Sequence, residues 1–202
     1  MDIKSLCSSL VAVTLALFTS SCDSKAATST EPATTFDPSS TLVVYFSWSG
    51  NLEKMSGWIA NETGGTRVRV ETIEAYPTDH DATISRAKKE HDEGIRPAIR
   101  PIPETANWDS YKTIFIGFPV WWYDIPMPLY TFLEGKDFKG KTVIPFFSHE
   151  GSSNGAAGPA TIEKLTEGAK VLTDQALSIR GKKVPNSEQD VRDWVRHLQV
   201  NK

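Results

Sequence analysis

Apolar residues follow two alternating patterns along this chain, continuous runs of about six residues and longer amphipathic stretches. Continuous runs are typical of strands that are covered on both faces of a parallel sheet. They lie at 42–47, 113–118, 141–147 and 171–179. A further stretch at 66–71 alternates valine with arginine, which predicts an edge strand.

Helix-forming stretches lie between and after these strands. The predicted helices cover 52–63, 83–93, 126–133, 156–167 and 188–198. Alternating strands and helices predict a doubly wound, three-layer α/β/α fold with a five-stranded parallel sheet, and the spacing favours the strand order 2-1-3-4-5. In that order, the loops after the first, third and fourth strands meet beyond the carboxyl ends of the strands, where ligands bind.

The N-terminal part of the chain differs from the rest. A cationic start, a short apolar stretch and small residues are typical of a secretory signal peptide, here predicted at 1–21. Ser20-Ser21-Cys22 resembles a bacterial lipoprotein processing site, which predicts a lipid on Cys22. Residues 22–40 are mostly small, polar or proline and predict a lipid-anchored flexible tether. The folded domain is then 41–202, held in the cell envelope outside the cytoplasm, at the inner or outer membrane. The alternatives are ordinary signal cleavage nearby or an uncleaved anchor.

Composition narrows the possible chemistry. The formal net charge is −3 and no strong basic cluster occurs, which argues against nucleic-acid binding. Cys7 and Cys22 are the only cysteines, so the predicted domain has no thiol nucleophile and no internal disulfide. Histidines next to carboxylates, at His80 and His91, are interpreted as a polar turn and a solvated helix face rather than a metal site. No residue is predicted to act as a catalytic acid, base or nucleophile.

Polar residues follow the first predicted strand directly and precede the first helix. They read Ser47-Trp48-Ser49-Gly50-Asn51-Leu52. A helix amino end offers free backbone N–H groups to an anion, hydroxyl and amide side chains add donors, and glycine permits close approach. Taken alone, the loop is equally consistent with simple helix capping. It lacks the spacing of a dinucleotide fingerprint and of a P-loop.

The loops after the third and fourth predicted strands complete the candidate site. The first of them contains three consecutive aromatic residues where the chain should be at the surface, which predicts contact with a flat aromatic ligand; core packing with a protein–protein contact is the alternative. The second is rich in glycine and serine and would line the polar edge of such a ligand, or form a flexible surface loop. The residues predicted to contribute are Pro119, Val120, Trp121, Trp122, Tyr123, His149, Glu150 and Gly151.

Together the loops resemble those of the flavodoxin family, especially its short bacterial branch. That family's first loop usually reads Ser/Thr-x-Thr-Gly-Asn-Thr, close to residues 47–52. The branch often has Gly-x-Pro-x-Trp-Trp after the third strand, which residues 117–122 match fully. Its fourth-strand loop is commonly Thr-Ser-Gly-Gly-Ser-Gly, which residues 148–153 match in part. The resemblance covers about residues 41–200.

The resemblance implies that flavin mononucleotide (FMN) is the cofactor. The first loop would hold the phosphate, an aromatic residue among 121–123 would lie against the isoalloxazine ring, and the third loop would contact the polar edge and the other face of the ring. Leu52 replaces a hydroxyl that touches the phosphate in the family, which predicts an affinity about ten- to hundredfold lower. Glu150, if ionised near the ring, would lower the reduction potential.

The leading hypothesis is an exported FMN-binding electron-transfer protein. Its partners would be FMN and an unidentified redox protein or small-molecule acceptor, with membrane contact through the lipid alone. One alternative is an FMN-dependent NAD(P)H or quinone reductase on the same fold. The other is a non-redox binding module that has lost tight FMN binding.

Overall fold

The continuous apolar runs form the parallel sheet at the centre of the fold. The structure, a computed structural model, describes residues 34–151 and 157–200. The strands are β1 Thr41–Tyr45, β2 Thr66–Arg69, β3 Thr113–Pro119, β4 Thr142–His149, β5 Lys170–Val171 and β6 Leu177–Arg180. The predicted signal peptide and Cys22 lie outside the described residues, as does most of the predicted tether.

The sheet confirms the predicted topology. Its order is β2-β1-β3-β4-β5, with every pair of strands parallel. The fifth position is shared, because β5 pairs with the start of β4 at Thr142–Val143 and β6 pairs with its end at Phe146–His149. A 3-10 turn at Thr173–Gln175 separates β5 from β6, so the strand predicted as continuous over 171–179 is split.

The helices cover both faces of the sheet. They are α1 Asn51–Thr63, α2 His80–Asp92, α3 Met127–Glu134, α4 Gly158–Leu165 and α5 Glu188–His197. Side chains alternate along each strand, so Val43 and Tyr45 belong to the apolar cluster of α1 and α5, whereas Leu42 and Val44 belong to that of α3 and α4. The two clusters are the two halves of the core.

The last residues of the predicted tether are part of the fold. The Phe36 ring lies 5.5 Å from the Phe115 ring, and Asp37 caps a 3-10 turn at Pro38–Ser40. The tether prediction is therefore corrected from residue 34 onward, because Phe36 supplies apolar surface that packs against the sheet.

Candidate functional site

An open cleft of about 440 Å³ lies beyond the carboxyl ends of β1, β3 and β4. Its volume is within the range of small-molecule sites, about 300–1,000 Å³. Four segments line it, and their residues are Trp48, Ser49 and Asn51; His80, Thr83, Ile84 and Ala87; Pro119, Val120, Trp121, Trp122 and Tyr123; and Ser148, His149 and Glu150. Three of these segments are the predicted loops.

The loop before α1 opens the amino end of that helix toward the cleft. Gly50 has φ +87°, a left-handed conformation that suits glycine, and its N–H donates to Ser47 Oγ at 3.1 Å. Among the described residues, no side chain caps α1, and the N–H groups of its first turn have neither a side-chain nor an intrahelical acceptor. Ser47 is buried and its carbonyl accepts from Arg69 at 2.8 Å, so Ser47 shapes the loop instead of lining the cleft.

Leu52 lies in the core. Its side chain is 1% exposed and belongs to the same apolar cluster as Met55 and Ile59, three and seven residues further along α1. The expectation that the side chain at position 52 faces a phosphate is therefore corrected. What Leu52 can offer to the cleft is its backbone N–H.

The aromatic loop is a two-residue hairpin turn, Trp121–Asp124, which we call the aromatic turn. The backbones of Trp121 and Asp124 exchange two hydrogen bonds of 2.9 Å. Both central residues have positive φ, +50° at Trp122 and +66° at Tyr123. Such turns normally use Asn or Gly, and a non-glycine residue held there costs about 1–2 kcal/mol. The turn presents both rings outward, with Trp122 39% and Tyr123 60% exposed.

Two anchors hold this strained turn in place. The Trp121 ring packs edge-on against Phe46 at 5.3 Å and against Tyr76 at 5.1 Å, so the innermost of the three aromatic residues is tied to the core. The Asp124 carboxylate accepts from the Tyr130 hydroxyl at 2.8 Å and from the Ile125 N–H at 2.8 Å. Burial and the Asp124 carboxylate raise the pKa of Tyr130 to about 12.

The end of β4 and the residue after it place an imidazole and a carboxylate in the cleft wall. His149 Nδ1 is buried and has no hydrogen-bond partner among the described residues. Buried polar atoms of native proteins are nearly always paired, so this nitrogen indicates a missing partner such as a ligand or water. The Glu150 carboxylate lies against Gly181, where an added Cβ would come within 2.4 Å of Oε1 and 2.9 Å of Asn51 Nδ2. Glu150 therefore lies at the α1 end of the cleft.

Four of the fourteen residues predicted to contact a cofactor do not line the cleft. They are Ser47, Gly50, Leu52 and Gly151. Gly151 instead lies against Arg180, in a neighbouring groove. The other ten predicted residues come together in the cleft wall.

Sequence reasoning missed the wall formed by α2. This helix begins at His80, three residues earlier than predicted, because Asp79 Oδ1 accepts from the Ala82 N–H at 2.8 Å. The Trp48 indole and the Thr83 hydroxyl both donate to the Pro77 carbonyl, at 2.9 and 2.7 Å. These bonds bring α2 beside the first loop. The spacing of Thr83 and Ala87, both buried, is the sequence signal that could have identified this wall.

The arrangement suits a flat ring with an anionic tail. The aromatic turn and Trp48 provide apolar surface, and the open end of α1 provides N–H donors. Within the described residues, no three His, Cys, Asp or Glu side chains come together as metal ligands, and no helix is long and apolar enough to cross a membrane.

A family model and several solved structures match this chain, and their descriptions agree with one another. A family model described as Flavodoxin matches residues 40–198. A crystal structure of a candidate flavoprotein from Bacteroides eggerthii is 27% identical, has a TM-score of 0.63 and covers 79% of this chain and 98% of its own. A crystal structure of a candidate flavoprotein from Bacteroides uniformis is 28% identical and has a TM-score of 0.65. The match covers 79% of this chain and 99% of that protein.

A more distant flavoprotein, from Lactobacillus acidophilus in complex with FMN, shares the fold. It is 24% identical, has a TM-score of 0.56 and covers 75% of this chain and 99% of its own. No match was found among curated proteins.

Proposed function

Because this chain belongs to the flavodoxin family, we propose that it binds FMN noncovalently in the cleft and transfers electrons. The observation that carries the proposal is a strained turn that exposes Trp122 and Tyr123 in the wall of the cleft that the amino end of α1 also lines. A protein retains such strain where it serves a site. The candidate flavoproteins from Bacteroides support the same reading.

The residues of the cleft fit FMN. The N–H groups of the first turn of α1, with Ser49 and Asn51, would hold the phosphate. The aromatic turn would lie against the ring, and His149 Nδ1 would gain the hydrogen-bond partner that it lacks. Glu150 fits least well, since its charge lies at the phosphate end. Bound FMN would supply the one- and two-electron chemistry.

The role of the chain would be that of a carrier. Its own residues would bind and orient the flavin, exclude water from one face of the ring and set the reduction potential through stacking and nearby charges. We extend the proposal to location: residues 1–21 would direct export, and a lipid on Cys22 would hold the domain at a membrane. The electron partner would be a redox protein or a small-molecule acceptor.

The test is FMN and riboflavin binding by the full-length protein, followed by flavin fluorescence and thermal unfolding. We expect FMN to bind, to raise the unfolding temperature and to bind more tightly than riboflavin, which lacks the phosphate. Equal binding of the two would overturn the role of the α1 loop. Binding of neither would overturn the proposed function.

A further inference from the structure

A second concave surface adjoins the cleft. This groove of about 640 Å³, which we call the basic groove, is lined by His149, Gly151, Leu177, Ser178, Ile179, Arg180, Lys182, Lys183, Ser187 and Asp190. His149 lines both the cleft and the groove. It is also the register partner of Arg180 across the pairing of β4 with β6. The two surfaces therefore share one wall.

The basic groove carries unpaired positive charge. Within the part of the chain that the structure describes, Arg180, Lys182 and Lys183 form no ion pair and no side-chain hydrogen bond. Arginines elsewhere do pair with carboxylates, and these are Arg69, Arg86, Arg96, Arg100, Arg192 and Arg196. Unpaired cations occur elsewhere among the described residues too, but here three of them line one concavity of a chain whose net charge is −3.

The lining of the groove contains three cations and one carboxylate. Asp190 is the carboxylate in its wall. The Glu150 carboxylate lies near Gly181 and Asn51, and Glu150 lines the cleft and not the groove. Ser178 adds a hydroxyl group to the lining, whereas the Ser187 hydroxyl already donates to the Lys183 carbonyl at 2.9 Å. Ser187 immediately precedes α5, whose amino end carries partial positive charge.

We infer that the basic groove binds a small molecule that carries two or more phosphate groups. Three cations and the Ser178 hydroxyl match the charge and the acceptor oxygens of such a group. The volume is far larger than a lone ion needs and is within the range of small-molecule sites. A concave surface also favours a small molecule over a flat protein contact. The inference does not depend on FMN binding.

Two sources share this chemistry, a free polyphosphate and a nucleotide that is itself an electron donor. The full-length protein is therefore titrated calorimetrically with pyrophosphate, ADP, NADH and NADPH, at low and at high salt. We expect binding that weakens as salt increases, because the contacts are between charges. Binding of the two nicotinamide nucleotides in preference to pyrophosphate and ADP would identify a donor site; equal binding of all four would identify general phosphate recognition.

Matched variants locate the site. Lys182→Gln with Lys183→Gln should weaken binding about tenfold or more, because each lysine supplies a charge-assisted hydrogen bond. The control, Lys139→Gln with Lys164→Gln, removes the same charge from exposed positions outside the groove and should leave binding unchanged.

Absence of binding by all four probes, or an equal loss of affinity in both double variants, would overturn the inference. FMN affinity, measured on the same proteins, should be the same in both double variants. This separates failure of the basic groove from failure of the FMN proposal.

Discussion

Two loops of the cleft use left-handed backbone in opposite ways. Before α1, the positive φ falls on Gly50, where an added Cβ would meet no atom within 4 Å. In the aromatic turn it falls on Trp122 and Tyr123, where it is strained. The first loop is relaxed and holds its shape by local hydrogen bonds. The second is held by its neighbours, so its geometry depends on the core behind it.

Removing Trp121, which anchors the aromatic turn to the core, should have the largest effect on stability. Trp121→Ala should lower the free energy of unfolding by about 3 kcal/mol, because the edge-on packing against Phe46 and Tyr76 is lost. Urea denaturation measures the change. Trp122→Ala serves as the control, since that ring is 39% exposed and should cost less than about 1 kcal/mol. Equal losses would contradict the assignment of Trp121 as the anchor.

Introducing strain into the loop before α1 should destabilise the fold less than removing Trp121. Gly50→Ala should destabilise the fold by about 1 kcal/mol, since the new side chain is forced into the left-handed region without any clash. The same denaturation experiment applies, with an FMN titration beside it. An unchanged stability would show that the loop simply changes conformation.

Removing strain from the aromatic turn should stabilise the fold instead of destabilising it. Tyr123→Gly should raise the free energy of unfolding by about 0.5–1 kcal/mol, because glycine accepts φ +66° without penalty. FMN affinity should fall in the same variant, since an exposed ring is lost from the cleft. A variant that loses stability but keeps its FMN affinity would mean that Tyr123 packs in the fold rather than serving the site.

Removing the Glu150 charge at the α1 end of the cleft should have a smaller effect, on FMN affinity. Glu150→Gln should tighten FMN binding about threefold by removing a negative charge near the phosphate. Riboflavin binding is the internal control and should not change. Fluorescence titration measures both, and a parallel change for the two ligands would place Glu150 beside the ring instead.

The stability contributed by the second anchor, the hydrogen bond from Tyr130 to Asp124, should depend modestly on pH. The pKa of Tyr130 is raised by burial and by Asp124 to about 12, above the value of about 10 for an unfolded chain. Its contribution to stability is therefore complete below about pH 10 and is lost as pH rises toward about 12. The unfolding temperature of the wild type should approach that of Tyr130→Phe over this interval. A constant difference would exclude the linkage.

The sheet and most of the cleft were predictable because they depend on local patterns. The apolar runs predicted the strands, their number and spacing favoured the order 2-1-3-4-5, and that order brings three loops together. The split between β5 and β6 was not predictable, because the turn at Thr173–Gln175 is held from α5, where Trp194 donates to the Gln175 carbonyl at 2.8 Å. The wall from α2 likewise depends on long-range bonds to Pro77. Leu52 was readable as core from its spacing with Met55 and Ile59.

The split fifth strand also bears on how copies of the protein meet one another. An open sheet edge is a template for pairing with another chain, and proteins protect such edges with short strands and charges. Here β5 has two residues and β6 four, and a turn separates them. On the opposite edge, β2 has four residues and exposes Arg67 and Arg69. Within residues 34–151 and 157–200, neither edge has a long apolar strand, and short strands with exposed charges protect both edges against edge-to-edge pairing.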